Sequence, residues 1–151
     1  MKKILFICPR NPFSERYSGD VIRAKKFIYS LSQNNYVKVI SLDSKDSQKK
    51  ESKLSYESFK EINFFIKIFY IIFSLIKIKP LQLGYFFSPK IKEYVQNNYQ
   101  NYDIIFFQSF RTAQYMPENN KKKCILDMGD LMSENYKQTS SRYFFFNPIR
   151  I

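Results

Sequence analysis

The stretch Lys3 to Cys8 (KILFIC), followed by Pro9 to Ser18 (PRNPFSERYS) and then Gly19-Asp20-Val21-Ile22-Arg23, decides the fold. The first six residues form a short apolar run suited to a buried strand. The next ten hold Pro9 and Pro12, which neither a strand nor a helix continues through. From Asp20, the apolar residues Val21, Ala24, Phe27, Ile28 and Leu31 return every three or four positions, predicting an amphipathic helix with Asp20 near its N-cap. Asn34-Asn35 closes it, and Tyr36 to Leu42 (YVKVISL) reads as a second strand. The unit is βαβ, which implies parallel strands and a right-handed crossover. Ligands of such units sit where strand carboxyl ends meet helix N-termini, so the loop and Arg23 are the first candidates for function.

Outward from this unit, Asp43 to Tyr56 is lysine-rich and aperiodic and reads as a surface loop, with Ser58 to Asn63 as a short third strand. Phe64 to Ile78 is apolar except for Lys67, Tyr70, Ser74 and Lys77, whose spacing puts them on one stripe of a helix. A bilayer span needs about 20 apolar residues, so this segment is too short to cross one. A core helix is the first reading and an interfacial membrane helix the second. Pro80 to Phe87 reads as an extended connection, with Gly84 as a turn residue. Ser88-Pro89 then starts a helix carrying Ile91, Tyr94, Val95 and Tyr99 on one face. Asp103 to Gln108 is a buried strand, Phe110 to Met116 a short helix, Lys123 to Met128 a last buried strand, and a helical stretch follows from Leu131. This alternation predicts one α/β domain with a doubly wound, mainly parallel sheet.

The composition narrows the chemistry. With no histidine in 151 residues, a Ser-His-Asp hydrolase and a His-ligated metal site are excluded, and no metal is expected. The two cysteines, Cys8 and Cys124, fall in expected buried strands and show neither zinc nor disulfide spacing. The balance of 25 Lys+Arg against 13 Asp+Glu, a formal +12, favours anionic partners, although lysines spread along the chain by compositional drift give the same number. Met1-Lys2-Lys3 and the short strand after it lack the apolar length of a signal peptide, so a cytoplasmic location is expected. The run Tyr143 to Phe146 at the terminus calls for a covering partner, and truncation or a missing domain is expected there.

Three clusters are candidates for a site. Gly19, Asp20 and Arg23 combine backbone N–H groups at a helix start with a guanidinium one turn on, a pairing suited to a phosphate or a sugar hydroxyl. Gln108-Ser109-Phe110-Arg111 ends a buried strand on the ligand side of the sheet. Asp127 and Asp130, with Ser133 and Glu134, surround a strand-to-helix turn, where they orient hydroxyls or Asp130 caps the helix. Neither GxGxxG nor a Walker loop is present, which disfavours a complete dinucleotide or P-loop site.

The order of these motifs resembles the N-terminal domain of family 4-type glycosyltransferases with the GT-B fold, within them a bacterial group associated with exopolysaccharide synthesis. The resemblance rests on Pro9 to Pro12 leading to Gly19-Asp20-Val21-Ile22-Arg23, and on Pro80-Leu81 with Tyr85-Phe86. It continues in Tyr102-Asp103 with Gln108-Ser109 and Ala113-Gln114-Tyr115, and in Leu126-Asp127-Met128-Gly129-Asp130 followed by Ser133. It implies a Rossmann-like sheet forming the acceptor-side half of a GT-B enzyme, whose donor-binding C-terminal domain is absent from this sequence. The implied activity is retaining sugar transfer from a nucleotide-sugar donor to a glycan or lipid-linked acceptor, with no cofactor and no metal. The implied substrate contacts are Gly19, Asp20, Arg23, Ser109, Arg111, Asp127 and Asp130. Peripheral contact with the inner face of the membrane is part of this expectation. A nucleic-acid-binding module is the rival reading, since lysines are interleaved with aromatics, but the aromatics fall mostly on expected buried faces. Another nucleotide-using Rossmann-like domain is the third.

Overall fold

The structure, a computed structural model, describes residues 1–15, 18–44, 46–78, 80–117 and 123–128. Six strands, β1 (Lys3–Cys8), β2 (Tyr36–Asp43), β3 (Ser47–Lys50), β4 (Leu54–Lys60), β5 (Ile104–Gln108) and β6 (Cys124–Asp127), form one sheet in the order β3-β4-β2-β1-β5-β6. All neighbours run parallel except β3, which lies antiparallel along β4. The molecule is therefore an α/β protein with a mostly parallel, Rossmann-like sheet, as the opening unit predicts. The chain leaves β1 for β2 on one side and returns to β5 on the other, so the order reverses beside β1. In open parallel sheets this reversal leaves a crevice at the strand carboxyl ends.

The period-two alternation of the strands builds two cores, one on each face. Ile4, Phe6 and Cys8 of β1 join Val37 and Val39 of β2 on the face covered by α1 (Gly19–Ser32), through Ala24 and Ile28. Leu5 and Ile7 join Ile40, Leu42, Ile105 and Phe107 on the opposite face, covered by Ile91 and Val95 of α4 (Pro89–Asn98). Register carries the packing across strands: Phe6 lies opposite Phe106, and their rings stack with centroids 4.8 Å apart. Burial of such side chains contributes about 1.5–3 kcal/mol each before chain entropy is charged against it.

Several boundaries differ from expectation. The expected loop from Asp43 to Tyr56 contains β3 and the start of β4, and the third strand is Leu54–Lys60 rather than Ser58 to Asn63. β3 is Ser-Gln-Lys-Lys with every side chain exposed, so backbone pairing with β4 makes it a strand and hydropathy carries no trace of it. Its lysines also suit a sheet edge, where charge discourages pairing with another chain. β6 is only half-buried, and Cys124 with it, while Cys8 is buried as expected. The short helix expected over Phe110 to Met116 is α5 (Phe110–Ala113). Gly129, Asp130, the helix from Leu131 and the aromatic run lie outside the described residues.

The larger correction concerns α2 (Phe64–Ile76). The core reading predicts its apolar side chains inward; instead its buried residues are Lys67 and Ser74, while Phe65 is 84% and Ile76 74% exposed. The cause lies in the segment expected to be extended, which contains a helix, α3 (Leu81–Tyr85). α2 packs on α3. A β-carbon on Gly84 would lie 2.5 Å from Tyr70 O and 2.8 Å from Ser74 Oγ, so Gly84 is a close-approach residue in a helix. Lys67 forms an ion pair with Glu61 and lies 4.6 Å from the centre of the Tyr85 ring. The polar stripe thus faces the protein because the charge, ring and hydroxyl partners are there.

Candidate functional site

The carboxyl edge of the sheet at the reversal point opens into a cavity of about 470 Å³, lined among others by Gly19, Asp20, Arg23, Ser109, Arg111 and Asp127. These are six of the seven residues singled out from the sequence; the seventh, Asp130, lies outside the described residues. They arrive from three places along the carboxyl edge. Gly19, Asp20 and Arg23 come from the first turns of α1, Ser109 and Arg111 from the β5-to-α5 turn, and Asp127 from the end of β6. Residues 104 positions apart meet directly: Arg23 Nη2 donates to Asp127 Oδ1 at 2.6 Å.

The helix start is organised differently from a simple Asp20 cap. Ser18 holds the N-cap position in extended backbone, and Asp20 sits in the first turn, its Oδ1 accepting from Ser18 Oγ and from its neighbour Val21 N. Its Oδ2 accepts from Arg10 at 3.4 Å, and its backbone carbonyl from Gln108 Nε2 at 2.7 Å. Asp20 therefore fixes the helix start against β5 and the β1 loop. Gly19 has ordinary backbone angles and nothing within 4 Å of where a β-carbon would stand. It leaves the helix start open to the cavity.

Ser109 occupies a strained turn. Its φ of 73° lies in the left-handed region that non-glycine residues rarely adopt. The turn is held because Ser109 N donates to Asp127 O at 2.8 Å, while Ser109 Oγ accepts from Arg111 N and Thr112 Oγ donates to Gln108 O. The strain turns the chain out of β5 into α5 at the cavity wall. Arg111 extends over the Phe86 ring, its guanidinium carbon 4.7 Å from the ring centre, and donates to Gln82 Oε1 at 3.1 Å.

Arg10 is the lining residue that sequence reasoning passes over. It lies two residues beyond β1, in the loop first expected to hold function, and its guanidinium carbon stands 5.7 Å from the Phe86 ring centre. An arginine directly after a central parallel strand is the available signal. Among the described residues, the cavity wall thus holds three guanidinium groups, from Arg10, Arg23 and Arg111, against the two carboxylates of Asp20 and Asp127. That balance suits a ligand carrying both negative charge and hydroxyls: forked N–H donors for phosphate oxygens, carboxylates and Gln108 for hydroxyl protons. Cys8 ends the strand beneath, with Sγ donating to Ile40 O. Burial foremost, and the Asp20 carboxylate second, push its thiol far above the ordinary range, so it stays protonated and is not a nucleophile.

Comparisons with protein-family models, with curated proteins and with solved structures found no match.

Proposed function

We propose that this chain is the acceptor-side domain of a two-domain GT-B sugar transferase acting in cell-surface polysaccharide synthesis. It moves a sugar from a nucleotide-sugar donor to a glycan or lipid-linked acceptor with retention at the anomeric carbon, in the cytoplasm at the inner face of the membrane. The observation that carries this reading is the meeting of Arg10, Arg23 and Arg111 with Asp20, Asp127 and the start of α1 in one cavity at the sheet reversal. In sugar transfer negative charge develops on the departing diphosphate. Preoriented guanidinium groups and a helix start stabilise that charge without needing to reorganise. Asp127, held by Arg23, orients the acceptor hydroxyls beside it.

A second domain facing this cavity completes the reaction by holding the donor. Positioning two reactants in line is worth roughly 7–11 kcal/mol of barrier, so half a cleft leaves most of the rate unrealised. Residues 1–151 are therefore expected to bind a phosphorylated saccharide and to transfer no sugar from a panel of nucleotide sugars. Arg23→Gln is expected to weaken that binding about tenfold or more, the usual scale for losing a charge-assisted hydrogen bond. Calorimetry with a soluble sugar phosphate and a turnover assay decide it. Robust turnover by this chain alone would falsify the half-enzyme reading. Tighter binding of single-stranded oligonucleotide than of sugar phosphate, unaffected by Arg23→Gln, would favour the nucleic-acid reading.

A further inference from the structure

The thirteen residues of α2 span about 20 Å at 1.5 Å per residue, and no helix among the described residues is long and apolar enough to cross a membrane. Yet the outward face of α2 presents Phe64, Phe65, Phe69, Ile72, Phe73 and Ile76, all exposed. Contiguous apolar surface on this scale marks an interaction site. The polar side of α2 is the side anchored to the protein, through Lys67, Ser74 and Gly84. The fold therefore holds the helix with its aromatic face outward, the reverse of a helix seated on a core.

Charge selects the occupant. From Ile62 to Lys92 the sequence contains no Asp or Glu, while Lys67, Lys77, Lys79, Lys90 and Lys92 fall within it. Lys77 is exposed at the end of α2, its Nζ 4.5 Å from the centre of the exposed Phe73 ring, while Lys67 pairs with Glu61 and the exposed Lys90, at the start of α4, with Asp46 at 3.7 Å. Aromatic and aliphatic side chains flanked by lysine ammonium groups fit the boundary between acyl chains and anionic head groups, where such helices lie in the plane of the bilayer. A second copy would bring a chain of the same formal +12 against this cationic surround.

We propose that the outward face of α2 is a docking surface for an anionic bilayer, with the helix lying in the plane of the interface. The surface geometry and the charge pattern carry this independently of the sugar-transfer reading. α3 connects the two places: it packs on α2, and its Gln82 accepts from Arg111 of the cavity. Docking therefore holds the cavity one short helix away from the bilayer.

The chain has no tryptophan, so Phe65→Trp, at an exposed position, introduces a single tryptophan that can be excited apart from the tyrosines. With vesicles of phosphatidylcholine and phosphatidylglycerol at low salt, the protein is expected to co-sediment and the reporter to shift to shorter wavelength. Pure phosphatidylcholine vesicles should bind far less, and Lys77→Gln should cut partitioning about fivefold. Phe69→Ser with Ile76→Ser, both at exposed positions, should abolish binding while leaving the thermal unfolding midpoint in place. Failure to bind anionic vesicles overturns the proposal, as does binding that survives the double serine substitution. A blue-shifted reporter in lipid-free monomer would instead mean that the chain's own residues cover the face. A shift that grows with protein concentration without lipid would mean a second copy does; either overturns the bilayer as occupant. Sugar-phosphate binding at the cavity is read in solution without vesicles, so failure here removes the membrane location from the functional reading and leaves its sugar-transfer chemistry standing.

Discussion

One added methyl group at Gly84 meets backbone rather than a movable side chain. Its β-carbon would fall 2.8 Å from Ile71 Cα as well as against Tyr70 O, and neither yields without shifting α2. In an isolated helix Gly to Ala gains up to about 1 kcal/mol. Overpacking a tight crossing costs about 1–3 kcal/mol, and because the obstacle is main chain the upper part of that range applies. Gly84→Ala is expected to destabilise the protein by about 1–2 kcal/mol in urea denaturation. A stability equal to or above that of the parent protein would mean that α2 does not cross α3 at this residue. The cavity residues show how differently a single position reads before and after folding. Arg23 and Asp127 are marked by residue type and by their places at strand and helix ends, and they meet. Asp20 is marked for the same reasons, yet its carboxylate is engaged at its own helix start and with Arg10.

At the scale of elements, the join between α3 and α4 depends on Tyr115. Its hydroxyl donates to Phe86 O at 2.6 Å and accepts from Ser88 N at 2.9 Å, while Ser88 Oγ accepts from Ile91 N as the N-cap of α4. The ring is buried in the core, so Tyr115→Phe keeps the packing and leaves both backbone groups without this partner. A buried unsatisfied polar group costs about 1–3 kcal/mol, and a loss of about 2 kcal/mol is expected. Thermal unfolding of the variant at neutral pH measures it; a change under half a kcal/mol would show that water replaces the hydroxyl at no cost. The elements that the sequence makes legible are those with enough apolar residues to bury. β1, β2 and β5 are short apolar runs packed on both faces, α1 and α4 bury a face that recurs every three to four residues, and their places are anticipated to within a residue or two. β3 has no buried face, and α3 is a single turn and a half made by Pro80 and a close-approach glycine, so neither leaves a hydropathy signal. α2 is legible as a helix but not in its orientation. Its inward side is set by Glu61, Tyr85 and Gly84, partners whose positions only the tertiary structure defines.

For the molecule as a whole, the described groups whose protonation differs most between folded and unfolded chain all favour the neutral form when folded. Burial raises the pKa of Cys8, Cys124, Tyr56, Tyr102 and Tyr115; at Tyr102 the hydrogen bond with Tyr94 adds to it. The unfolded chain releases these protons from about pH 8.5 for thiols and about pH 10 for phenols, while the folded chain still holds them. The unfolded state then binds fewer protons, so stability falls as pH rises through that window and is fully present below it. The thiols of the unfolded chain titrate before its phenols, which makes pH 8.5–10 the clearest window. There the fully buried Cys8 alone is expected to cost about 2 kcal/mol by pH 10, one and a half pH units above the unfolded thiol value. The urea midpoint should therefore be flat from pH 7 to 8 and fall steadily to pH 10. Cys8→Ala lowers stability at neutral pH by leaving a small void, but it removes the largest part of the alkaline slope. A midpoint that holds constant to pH 10, or a Cys8→Ala variant with the parent protein's slope, would show that the thiol at the end of β1 ionises as easily in the folded protein as in water.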